Sequence, residues 1–148
     1  MIALGADHGG FEVKQEIKRY FDENDIKYKD YGTFDTERTD YPIYAEKVAK
    51  AIQTKECDSG ILVCKSGAGM TIVANKFKGI RATIGFNKEV TKASKADDDI
   101  NVLVLPAEYM NISEIVAIIR IWIATEFKGG RYEERLQMIE NIEKSEMK

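Results

Sequence analysis

Residues 64–70, Cys-Lys-Ser-Gly-Ala-Gly-Met, bring a thiol, a hydroxyl and two glycines together. They follow the apolar run Gly60-Ile-Leu-Val-Cys64, which suits a strand buried on both faces. A strand end, glycines and a helix start make a turn whose backbone N–H groups point outward. Such a turn holds anionic oxygen, aided by the helix dipole. The same field is expected to lower the pKa of Cys64. A thiolate beside an oxyanion cradle serves as a base or a nucleophile. The other reading is a buried structural cysteine ahead of an ordinary tight turn, and spacing alone leaves both open. A dinucleotide site is weaker: Gly67-Ala68-Gly69 lacks the third glycine of GxGxxG and follows the third strand, not the first.

Other chemistry-bearing residues are scattered. His8 is the only histidine, in Asp7-His8-Gly9-Gly10 after the first apolar run. It is either a site residue or a solvated turn histidine. Arg131 and Arg135 are four apart, one face of a helix. They could clamp a phosphate bidentately or belong to a solvated face with Glu133 and Glu134. Cys57 has no histidine or cysteine at metal-ligand spacing, so it reads as structural and no metal is expected.

The elements that must position these groups follow from a period that switches between strand-like and helical. Strands are expected at Ile2–Gly5, Ile26–Tyr31, Gly60–Cys64, Ile80–Phe86 and Asn101–Leu105, the last closed by Pro106. Helices are expected at Phe11–Asn24, Ile43–Ile52, Ala68–Lys76, Lys88–Ala96 and Ile112–Phe127, the last ended by Gly129-Gly130. Arg131–Lys148 forms a final charged helix. This alternation predicts an α/β protein: a three-layer α/β/α sandwich on a five-stranded parallel sheet, in one domain over residues 1–148. Ligands of such sheets sit beyond the carboxyl ends of the strands. Asp7–Gly10, Gly32-Thr33, Asp40-Tyr41-Pro42, Cys64–Met70 and Asp97-Asp98-Asp99 are for the most part expected at one rim. The last helix needs a surface for Leu136, Met138, Ile139 and Ile142. That surface is either its own domain or a partner subunit.

Composition narrows the classes. The 148 residues carry 22 Lys+Arg against 25 Asp+Glu, a formal charge of −3, with a pI near 5.3. A nucleic-acid partner is therefore not expected. No apolar run reaches the roughly 18 residues of a spanning helix, so no membrane is expected. Met1–Gly5 lacks the basic and apolar regions of a signal peptide. Two cysteines point to a reducing cytoplasm rather than a disulfide framework.

In order along the chain stand Gly-Ala-Asp7-His8-Gly-Gly-Phe, Thr39-Asp40-Tyr41-Pro42, Cys64-Lys-Ser-Gly-Ala-Gly-Met-Thr-Ile-Val-Ala-Asn75-Lys76, Gly79-Ile-Arg81-Ala82, Asn101-Val-Leu103 and Glu126-Phe-Lys-Gly-Gly-Arg131. This set resembles the ribose-5-phosphate isomerase B family, which includes the galactose-6-phosphate isomerase subunits, over about residues 1–140. The resemblance implies a flavodoxin-like fold, a homodimer sometimes paired into tetramers, and active sites between subunits. Residues 131–148 would be the dimer arm. It implies cofactor-free aldose–ketose isomerisation through an enediolate, in sugar-phosphate metabolism such as the pentose phosphate pathway. Cys64 would be the C2 base. Ser66 and the amides from Ser66 through Gly67 and Ala68 to Gly69 would hold the enediolate oxygens. Asp7 would assist ring opening, His8 would touch the phosphate, and Tyr41 would line the sugar site. Arg131 and Arg135 would form the phosphate clamp.

The chain departs from that pattern. Asp97 stands where the family has a ring-opening histidine, Asp98 where it has a substrate-binding asparagine, and Glu108 where it has an arginine of the clamp. Lys65 replaces a small residue and Tyr132 a histidine. If Asp97, Asp98 and Glu108 line the site, their field is expected to weaken the use of a phosphate dianion, with Lys65 regaining one charge. Ribose 5-phosphate is the first substrate to expect. The alternatives are another aldose, phosphorylated or free, and a non-catalytic sugar-binding subunit. A receiver-type signalling domain would need an aspartate at the end of the third strand, where Cys64 stands.

Overall fold

The computed structural model describes residues 1–147. Strands β1 (Ile2–Ala6), β2 (Tyr28–Asp30), β3 (Ser59–Cys64), β4 (Ala82–Ile84) and β5 (Val102–Pro106) alternate with helices α1 (Phe11–Glu23), α2 (Tyr41–Gln53), α3 (Ala68–Ala74), α4 (Lys88–Asp98) and α5 (Ile112–Ala124). Helix α6 (Arg131–Glu146) follows. All strand pairs are parallel, in the order β2-β1-β3-β5-β4. Relative to the flavodoxin order, the last two strands are exchanged. Burial explains the exchange. Every residue of β5 is buried, which suits an interior strand. The short β4 is only half-buried and takes the edge.

The sheet carries a core on each face. On one, Tyr44, Ala45 and Val48 of α2 and Met70 and Ala74 of α3 cover Ala3, Leu62 and Val104. On the other, Ile17 and Phe21 of α1 and Ile115, Ile118 and Trp122 of α5 cover Leu4, Ile61, Val63 and Leu103. Helix α4 lies beside α5, where Lys95 Nζ donates to Trp122 O at 3.0 Å. Helix α5 starts at a capping box, Asn111 with Glu114.

Two expectations are corrected. Helix α5 stops at Ala124, with Thr125 extended and its hydroxyl on Ile121 O. Gly129-Gly130, at φ 69° and 58°, therefore does not end α5 but turns the chain into α6. Pro106 closes β5 from inside, paired with Cys64, since a strand's last residue can do without its donor.

Helix α6 is the odd element. It buries no residue and leaves Met138, Ile139 and Ile142 exposed. Its tie to the body includes the Glu143 carboxylate, which accepts the Gly79 N–H at 3.1 Å. No helix is long and apolar enough to cross a membrane among the described residues.

Candidate active site

The strand order reverses direction between β1 and β3, and a crevice opens at such a point beyond the strand ends. The register sets Ala6 against Val63, which brings Asp7 beside Cys64. Asp7 is buried, and its Oδ1 accepts the Gly10 N–H at 3.1 Å. Gly10 is required here. A Cβ on it would fall inside the van der Waals shell of Val63 O, so only glycine lets α1 start this close to β3. The neighbouring loop is held from below. Asp30 Oδ1 accepts the Gly32 N–H at 2.9 Å and the fully buried Lys14 ammonium at 2.7 Å, while Lys18 reaches its Oδ2 at 2.9 Å.

The turn after β3 pivots on Gly67 at φ 84°. Cys64 is buried, and its Sγ accepts the Gly67 N–H at 3.2 Å. Burial pushes the Cys64 thiol above its ordinary range. The amides of Met70, Gly67 and Ser66 pull it down and the charge of Asp7 pushes it up, and desolvation prevails. This overturns the expected lowering, since the turn's field is outweighed by the loss of solvent. The turn also spends amides locally: Gly67 N–H serves the sulfur, and Ala68 N–H bonds Ser66 Oγ at 3.3 Å. Of the expected enediolate donors, the Ser66 hydroxyl proton and the Ser66 and Gly69 N–H groups are not donated in these two bonds. The Tyr41 ring rests on Gly69 and leaves no room for a side chain there.

Across the crevice, His8 Nδ1 lies 3.0 Å from Thr39 O and 3.2 Å from Thr39 N. That fixes the ring and leaves Nε2 for a ligand. Thr39 is held in turn by a 2.8 Å hydroxyl pair with Tyr44. Glu108 runs alongside Lys65: its N–H donates to Lys65 O at 3.1 Å, and the side chains pair at 3.6 Å. His8, Gly9, Glu12, Thr36, Lys65 and Glu108 line a cleft of about 480 Å³.

Asp97, Asp98, Arg131 and Arg135 do not join this rim. Helix α4 leaves the carboxyl end of β4 and runs back to the amino end of β5, so its last turn lies at the opposite edge of the sheet. The length of β5 alone separates the two edges by roughly 13 Å. At the far edge a second cluster forms. Asp97 Oδ1 takes the Lys128 ammonium at 2.8 Å, and Lys128 N–H donates to Ala96 O. Lys128, Arg131 and Arg135 surround the Tyr132 ring at 4.9, 5.2 and 5.2 Å. An Arg131 nitrogen donates to the Tyr132 hydroxyl at 3.3 Å. That bond, with the charges of Lys128 and Arg131, lowers the phenol's pKa. Asp98 is exposed at the same edge, and its backbone carbonyl accepts from Arg81 Nε. No group of three or more His, Cys, Asp or Glu residues is placed to hold a metal ion among the described residues.

The ribose/galactose isomerase family model matches residues 2–139. The chain belongs to that family. It is 39% identical to the ribose-5-phosphate isomerase B of Escherichia coli over 142 residues, covering 96% of this chain and 95% of that one. It is 37% identical to a putative sugar phosphate isomerase of Bacillus subtilis over 147 residues, 99% of each chain. The structure superposes on ribose-5-phosphate isomerase B of Clostridium thermocellum with a TM-score of 0.95 at 38% identity, covering 97% of both chains. It also superposes on that of Mycoplasma genitalium with bound ribulose 5-phosphate, with a TM-score of 0.92 at 29% identity, over 97% of this chain and 95% of that one.

Within this isomerase family the chain's acidic substitutions are less hostile than their charges imply. Asp97 is paired with Lys128 and Glu108 with Lys65. The expected acidic field is thus partly cancelled where it arises. Thr39 and Lys128 stood in the sequence only as members of motifs with no role of their own, and the Lys14–Asp30 pair was not singled out. Their partners are distant in the chain, and no local spacing marks them.

Proposed function

We propose that this isomerase interconverts ribose 5-phosphate and ribulose 5-phosphate without a cofactor, using Cys64 as the base at C2. The observation that carries the reading is the Asp7–Cys64 juxtaposition at the sheet's reversal point, with the Ser66 turn on one side and His8 on the other. The Cys64 thiolate takes the C2 proton and returns it to C1. The Ser66 hydroxyl and Gly69 N–H face the enediolate oxygens, the charge that develops on the way. Asp7 receives a proton during ring opening, and His8 Nε2 meets the phosphate. Tyr41 forms the wall beside the turn.

The arginine clamp has to come from a second copy. Arg131 and Arg135 lie at the edge opposite Cys64, so one chain holds two half-sites facing apart. A two-fold dimer that sets one copy's α6 edge against the other's Cys64 rim completes two equal sites. The exposed Met138 and Ile142 of α6 give that arm an apolar face. We assign residues 1–148 to a single catalytic domain with α6 as this arm. Its two cysteines are free, which suits a reducing cytoplasm.

The test is conversion of ribose 5-phosphate by purified protein, followed by ketose formation. Cys64→Ala is expected to lower kcat by about 10²-fold or more with the circular-dichroism spectrum unchanged. A variant that keeps more than about a tenth of the rate would assign the base to another group.

A further inference from the structure

We propose that Tyr132 is the acid that opens the sugar ring, giving its hydroxyl proton to the ring oxygen of the furanose; this rests on the isomerase reading above. An aldose phosphate reaches the enzyme as a ring, and its C2 proton cannot be moved to C1 until C1 is a free aldehyde. Opening needs a proton at the ring oxygen, O4. That oxygen is attached to C4, the neighbour of the phosphate-bearing C5. The acid must therefore stand beside the phosphate clamp, away from the base at C2.

The clamp cluster offers few protons. The Arg131 and Arg135 guanidiniums do not deprotonate in proteins. Asp97 is the acceptor in its 2.8 Å pair with Lys128, and that pair makes the Lys128 ammonium hold its proton more tightly. His8, on the other copy's rim, is taken up by Thr39 through Nδ1 and by the phosphate through Nε2, so at the clamp the Tyr132 hydroxyl remains. It sits among the clamp groups, 3.3 Å from an Arg131 nitrogen, with its ring under three cations at 4.9–5.2 Å. Those cations stabilise the phenolate left behind, so giving up the proton costs less than from a free phenol. Asp97 contributes as a positioning residue by holding Lys128 at the ring.

The step balances. The Tyr132 proton goes to O4 as the C1–O4 bond breaks, and the electron pair of that bond stays on O4. The O1 hydroxyl proton passes to the Asp7 carboxylate of the copy that holds C1, and the C1=O1 double bond forms. Phenolate and carboxylic acid then return to their starting states by proton exchange through solvent. Nothing is oxidised or reduced.

The experiment compares ribose 5-phosphate with 4-deoxyribose 5-phosphate, which lacks the C4 hydroxyl and cannot close a ring. Tyr132→Phe keeps the aromatic ring under the cations and removes only the partly exposed hydroxyl. The variant is expected to lose about 10²-fold or more in kcat on ribose 5-phosphate, and less than about twofold on the acyclic compound. A parallel loss on both compounds would make Tyr132 a binding or structural group and overturn the assignment. So would an unchanged rate on ribose 5-phosphate. Unaltered protein inert toward both compounds would instead remove the isomerase reading, and the assignment with it.

Discussion

At Cys64 two opposed effects act on one sulfur, and burial wins over the amides of the turn. A base must be deprotonated to work, and this thiol binds its proton more tightly than a free one. The fraction in thiolate form therefore grows as pH rises through and above the ordinary cysteine range of roughly 8.5. We expect kcat/KM for ribose 5-phosphate to keep climbing between pH 7 and about 9. A plateau reached below pH 7 would mean that substrate or a second copy depresses the thiol after all. The neighbouring pair makes a separate prediction. Lys65 and Glu108 neutralise each other at 3.6 Å beside the His8 cleft, and both are exposed. Lys65→Ala should uncover the Glu108 charge and raise KM for the phosphosugar by roughly fivefold at most, the limit for an exposed pair. Removing Glu108 as well should return most of the loss. If the double variant binds no better than the single, the two side chains do not interact at the site. The glycine turn, the thiol and the Asp7–His8 pair were legible as chemistry in the sequence, because each is local. The direction of the thiol's shift was not, because it depends on how deeply β3 and β5 bury the strand end.

The elements explain why that chemistry is possible only in this arrangement. Helix α1 must begin almost on top of the β3 backbone if Asp7 is to reach the Gly10 amide, and Gly10 alone permits it. Gly10→Ala forces the first turn of α1 away from Val63. The cost should be about 1–3 kcal/mol, as for other overpacked contacts. Activity should fall more than stability accounts for, since Asp7 moves with the turn. Urea unfolding set beside ribose 5-phosphate turnover checks this; a variant of native stability and native rate would show that the contact relaxes elsewhere. The alternation of apolar runs made the five strands and their helices readable, with boundaries displaced by one to three residues. Two features were hidden for physical reasons. The exchange of β4 and β5 follows from which strand is buried on both faces, and the sequence runs differ little. The role of Gly129-Gly130 depended on where α5 loses its last backbone bond, and Thr125 takes that place well before the glycines.

For the whole molecule the decisive fact is direction. Helices in a parallel sheet return to the amino ends of the strands, so residues at a helix's last turn and residues at a strand's carboxyl end lie on opposite edges. Asp97 is of the first kind, Cys64 and Asp7 of the second, and the α6 arginines stand at Asp97's edge because Lys128, just ahead of them, pairs with Asp97. Proximity in the motif list hid this, because a motif order carries no edge. If the working site joins both edges, it takes them from different chains, and mixing two dead variants tests it. Cys64→Ala lacks the base, and Arg131→Ala with Arg135→Ala lacks the clamp. In a dimer holding one of each, one site collects every defect and the other collects none. Co-refolding the two in equal amounts makes half the dimers mixed, each with one intact site, so activity should return to about a quarter of the unaltered protein's. Recovery should need subunit exchange, appearing after unfolding and refolding together and not on brief mixing of folded stocks. If both half-sites came from one chain by some movement of α6, every chain in the mixture would still carry a defect in its own site. Co-refolding would then restore nothing, and the shared-site dimer would be wrong.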